Sequence, residues 1–141
     1  MKDLKPLIRL HQRTVDERRR ALGERLAALE QALAQQTAFE AQVVREKQVA
    51  AGDFNAGLTY HSFAKQVIRV REQMARAIDL LRQEVAQAEE AVAEAFRELK
   101  KYEQVQELRD QAAKEARRHR ETQMFDEVAS IRFQRARDGE E

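Results

Sequence analysis

The chain has 141 residues, of which 36% are charged and 6% aromatic, with a net charge of +1, one proline, four glycines and no cysteine. That balance belongs to long solvated helices rather than to a thick globular core, and it leaves no disulfide or thiolate chemistry. No apolar run approaches the ~18 residues that cross a bilayer. The N-terminal Met1-Lys2-Asp3-Leu4-Lys5-Pro6 leads into periodic sequence rather than an apolar signal core, so a soluble, cytoplasmic chain is expected.

The first element is a helix over residues 3–51. Asp3 is a good N-cap, Pro6 is tolerated in the first turn, and Gly52 supplies a stop. Apolar steps of four and three run through Leu4, Ile8, His11 and Val15, break at Arg19, and resume through Leu22, Leu26, Leu29 and Leu33. Gln36 and Glu40 continue the stripe as polar positions and, with Arg19, read as weak points for an exchange of arms between two copies.

A turn is expected over 52–58, because Gly52-Asp53-Phe54-Asn55-Ala56-Gly57 holds two of the four glycines beside Asp and Asn. A second helix then runs over 59–137. Its ladder, Met74, Ile78, Leu81, Val85, Ala88, Val92, Ala95, Leu99 and Tyr102, alternates steps of four and three without exception, a sustained heptad seam.

Two helices with one seam each bury those seams most simply against each other. The predicted fold is all-α, one domain over residues 1–141 in the form of a long antiparallel two-helix coiled-coil hairpin. Folding back near residue 55 sets Leu22 by Ala88, Leu26 by Val85, Leu29 by Leu81 and Leu33 by Ile78. It also sets Arg13, Arg18, Arg19, Arg20 and Arg25 beside Glu84, Glu89, Glu90, Glu94 and Glu98. Such pairs are individually weak but together choose orientation and register. In this register Leu26→Asp buries a charge and costs several kcal/mol. The heptads fit a monomer and equally a homodimer of two copies that exchange arms.

The arms are unequal. Helix one finds partners only back to about residue 106, so residues 107–137 form a C-terminal helical overhang. It carries Arg109, Lys114, Arg117, Arg118, His119, Arg120, Arg132, Arg135 and Arg137, with Asp138, Glu140 and Glu141 closing the chain. A small stripe of Met124, Val128 and Ile131, flanked by Phe125 and Phe133, reads as a docking face, because an isolated helix is marginal in water. Near the turn, Phe63, Val67, Val70 and Met74 repeat at steps of four, three and four beside Phe39, Phe54 and Tyr60. That stripe is either seam packing on Phe39 and Val43 or a partner surface.

Catalytic motifs are missing. There is no phosphate-binding glycine loop and no H-E-x-x-H. His11, His61 and His119 are too far apart to share a metal, and a slender hairpin offers no enclosed pocket to raise a carboxylate pKa. No enzyme, metal or cofactor is expected. The basic runs Arg18-Arg19-Arg20 and Arg117-Arg118-His119-Arg120 are diluted by acids at nearly every turn, which argues against nucleic acid. No face joins bulky apolar residues to a solid basic stripe for membrane binding.

Leu4-Lys5-Pro6-Leu7-Ile8-Arg9-Leu10-His11, then Val15-Asp16-Glu17-Arg18-Arg19 and Leu22, resembles the opening of the flagellar export protein FliJ family. Lys100-Lys101-Tyr102-Glu103, Leu108-Arg109 and Arg120-Glu121-Thr122-Gln123-Met124-Phe125-Asp126-Glu127 are similar to that family's K-x-x-E…R…E-Q-x-x-x-D-E run. The resemblance implies a cytoplasmic part of the flagellar type III export apparatus, peripheral to the inner membrane, built like the central stalk of rotary ATPases. Its implied partners are the export ATPase ring, the membrane export gate and export chaperones. Carried over by position, the open end meets the ATPase through Arg13, Arg109, Arg117, Arg118, Arg120, Met124, Phe125 and Val128. The turn end meets the gate through Phe54, Tyr60, Phe63, Val67 and Val70. Two alternatives stay open: the equivalent stalk of a virulence-type secretion system, and a generic coiled-coil adaptor or nucleic-acid-binding hairpin.

Overall fold

The computed structural model describes residues 3–139; Met1, Lys2, Glu140 and Glu141 lie outside the described residues. These form two helices, α1 (Lys5–Gly52, 48 residues) and α2 (Phe54–Gly139, 86 residues), which pack against each other. At 1.5 Å per residue they measure roughly 70 and 130 Å. Among the described residues there is no strand.

The helix ends show why the chain reverses so sharply. At the start of α1, Leu4 occupies the N-cap position without a side-chain cap, while the Asp3 carboxylate accepts the Lys5 N–H at 3.1 Å. Pro6 sits in the first turn, where its missing N–H costs nothing. The break between the helices is Asp53 alone, in an extended conformation with φ −135° and ψ 123°. Its carboxylate accepts the Asn55 N–H at 3.0 Å, satisfying one orphan donor of the next helix and placing negative charge at its N-terminus.

This differs from the turn expected over 52–58. Gly52 ends α1 without a left-handed conformation, since no described glycine has a positive φ. Because Asp53 caps α2 directly, Phe54, Asn55 and Leu58 fall inside the second helix, which therefore begins at Phe54 rather than at residue 59.

The pairing follows the expected register from end to end. The Leu4 N–H donates to Gln106 Oε1 at 3.2 Å. Val15 packs with Ala95 and Leu99, with Ile8 against them. Arg25 pairs with Glu84 at 3.4 Å, and Arg71 pairs with Glu40 at 2.8 Å. Every position of the second ladder is buried or half-buried, with Ile78, Val85, Ala95 and Leu99 forming its buried floor. Sealing a side chain such as Leu99 contributes roughly 2 kcal/mol.

The first ladder is less regular. Val15 is buried and Leu22, Leu29 and Leu33 are half-buried, but Leu26 is 45% exposed. Arg25 reaches across to Glu84 here, and the next residue, 100° further round the helix, is carried to the edge of the seam. Arg25 to Glu84 is also the one of the expected arginine–glutamate matches that forms a described cross-helix ion pair; Glu90 is instead bound by Arg97 of its own helix at 2.9 Å.

Candidate partner-binding surfaces

At the turn end, Phe39, Gln42 and Val43 of α1 and Phe63, Gln66, Val67 and Val70 of α2 line a groove of 220 Å³. Val43 and Val67 form its buried floor, while Phe39, Phe63 and Val70 are half-buried walls. The Tyr60 and Phe63 rings stand 6.1 Å apart and tilted by 46°. Phe54 is 82% exposed on the first turn of α2.

The expected gate set therefore divides. Phe54 is open, and Tyr60, Phe63 and Val70 keep part of their surface. Val67 is only 5% exposed and belongs to the seam, because its step from Val70 and Met74 carries it under Val43. Exposed Val44, Val49, Leu58 and Ile68 enlarge the apolar surface of this end and were missed by the seam pattern. The signal was present in the doublets Val43-Val44 and Val67-Ile68, in which only one member can face the partner helix.

At the open end, His11 stacks on Tyr102 with centroids 4.6 Å apart and planes 21° from parallel. Lys101 Nζ lies 5.9 Å from the Tyr102 centroid. Arg13 is exposed on α1 nearby in the chain. Beyond Gln106, α2 has no cover: every described residue from 107 to 139 is exposed.

Within this extension the basic cluster stays on the helix surface. Arg120 Nε donates to the Ala116 carbonyl at 3.4 Å, and Thr122 Oγ1 donates to the Arg118 carbonyl at 2.9 Å. Met124, Val128 and Ile131 share one face at steps of four and three, and are 67%, 42% and 50% exposed. Phe125 and Phe133 flank that face and are also exposed. Arg109, Arg117, Arg118 and Arg120 thus stand on the same segment as Met124, Phe125 and Val128, remote from the groove at the turn.

Glu40 and Arg71 shift each other's titration. The two hydrogen bonds from Arg71 hold the Glu40 carboxyl below its ordinary range, and Glu40 in turn raises the Arg71 guanidinium. Among the described residues, no three or more His, Asp and Glu side chains are grouped to hold a metal. No described helix is long and apolar enough to cross a membrane. The chemistry on offer is recognition by helix faces: an apolar groove at one end, and a mixed basic and apolar helix at the other.

No curated protein and no solved structure matches the chain. The model of one family, described as flagellar FliJ protein, matches residues 1–138, which takes in both helices, the Asp53 break and nearly all of the extension. The chain belongs to the FliJ family, with a role in flagellar type III protein export.

Proposed function

We propose that this protein is the stalk-like coiled coil of the export apparatus: it binds the export ATPase ring by its open end, reaches the export gate with its turn end, and helps recycle export chaperones. It hydrolyses nothing itself and works at the cytoplasmic side of the inner membrane. The observation that carries this reading is the extension of α2 past Gln106, exposed along its whole described length and bearing Arg117, Arg118 and Arg120 next to Met124, Phe125 and Val128. A helix that has left its partner keeps such a face at a cost in solubility unless another surface covers it. The length of the pair supports a bridge, since the two ends present different surfaces roughly 100 Å apart.

The test is ATP hydrolysis by the cognate flagellar export ATPase, with the full chain compared with a chain ending at Gln106. Faster or more cooperative hydrolysis that depends on residues 107–141 is the expected result. No effect and no binding, with both chains folded, overturns the ATPase contact.

A further inference from the structure

The extension holds a pattern that the ATPase contact draws on only in part. Across residues 121–135 one helix face reads Glu121, Met124, Val128, Ile131 and Arg135, at steps of three, four, three and four, with Val128 at its centre. All five are exposed. The face is thus an apolar triplet bounded by an acid on its N-terminal side and a base on its C-terminal side.

We propose that this face is self-complementary, and that two copies of the chain pair through it in antiparallel orientation to form a weak homodimer. Pairing centred near Val128 lays the Met124, Val128 and Ile131 stripe of one copy along the Ile131, Val128 and Met124 stripe of the other. The same orientation brings Glu121 of each copy within reach of Arg135 of the other, twice by symmetry, as an isologous interface requires. Parallel pairing sets Glu121 against Glu121 and Arg135 against Arg135, which is repulsive at both ends. Phe125, beside the stripe, covers the flank of the apolar centre. The contact is short for a coiled coil, so the dimer forms only as concentration rises. It also covers Met124 and Val128, so it competes with any other partner of that stripe. The inference does not rest on the ATPase contact, and the chain is tested alone.

Sedimentation velocity of the full chain over rising concentration is the experiment, with far-ultraviolet circular dichroism on each variant. The wild type shifts from monomer to dimer. Glu121→Arg and Arg135→Glu each weaken association by about tenfold or more, since each places like charges together at both ends. The double variant Glu121→Arg/Arg135→Glu restores it, and an equimolar mixture of the two single variants associates where neither does alone. A wild type that stays monomeric throughout overturns the proposal and leaves the stripe to a different protein. So does a double variant or a mixture that stays monomeric. Should one single variant lose helicity by itself, the double variant decides: it keeps like charges together in parallel pairing and opposite charges together in antiparallel pairing, so its association supports the antiparallel pair and its absence refutes it.

Discussion

Glu40 of α1 and Arg71 of α2 meet as a two-pronged pair, with Arg71 Nε 2.8 Å from Oε1 and Nη2 2.8 Å from Oε2. Glu40 breaks the apolar ladder of its own helix, yet the break is matched by an arginine in register on the other. A two-pronged guanidinium contact is specific in direction as well as distance, so sliding either helix by one heptad forfeits it. Glu40 is therefore a register mark for the two helices.

Removing that pair has a pH signature. The Glu40 carboxyl is held below its ordinary range by the Arg71 hydrogen bonds, so its stabilising effect is present above the unfolded-state value and is lost as pH falls through the lower folded-state value. Glu40→Gln is expected to lower the thermal midpoint slightly at neutral pH and to make no difference once the carboxylate is protonated. Both side chains are nearly half exposed, so salt also shrinks the gap. Thermal unfolding of both proteins across the acid range checks this; a gap that persists at full protonation places the effect in packing instead.

Leu26 and Val85 separate ladder membership from burial. Both belong to the four–three pattern, but Leu26 is 45% exposed and Val85 is buried. Leu26→Asp is expected to cost only about 1 kcal/mol, because the carboxylate can turn to water. Val85→Asp strands a charge beneath the other helix and costs about 3 kcal/mol or more. Urea unfolding of the two variants gives the comparison. Equal losses would mean that Leu26 closes onto the seam in solution.

The hairpin was legible in the sequence because its second ladder is unbroken from Met74 to Tyr102, and burial follows it position by position. The register was legible because charge and apolar patterns fixed it together; Leu4 does lie by Gln106 and Arg25 by Glu84. The reversal was not, since glycines near 52 and 57 suggested an open loop, while capping by Asp53 lets one residue suffice. Exposure at Leu26 was hidden because heptad counting treats every seam position alike, whereas Leu26 stands at the edge of the seam, 45% exposed. The open face of the extension was readable from arm lengths, but what covers it is not written in one chain's periodicity.

At the turn end, Phe54 and Val67 give opposite tests of the proposed gate contact. Phe54→Ser removes an 82% exposed ring and is expected to leave thermal stability unchanged while weakening binding to the export gate. Val67→Ser takes a methyl from the buried floor beneath Phe39 and Val43 and leaves a hydroxyl there, so it is expected to lower stability by about 1–2 kcal/mol. Pull-down with the gate's cytoplasmic domain, read beside melting curves, separates the two. Loss of stability in Phe54→Ser would show that the ring packs inward in solution.

The boundary at Gln106 makes a prediction about dynamics. Residues 8–43 of α1 and 67–102 of α2 share a buried seam, whereas every described residue from 107 to 139 is exposed. A single helix of that kind opens easily, so its amides are expected to exchange on the order of 100-fold faster than those around Val85 and Ala95. Deleting the extension after Gln106 then leaves the thermal midpoint of the hairpin within about 3 °C of the full chain. Gln106, the acceptor of the Leu4 N–H, is retained in the shortened chain, so the paired region is not itself cut. Hydrogen exchange measured at low and high protein concentration adds a second reading. Protection that rises with concentration around Val128, and nowhere in the paired region, is expected if two copies cover each other's stripe. Uniformly strong protection of 107–139 in dilute solution would mean that the extension is stable without any partner.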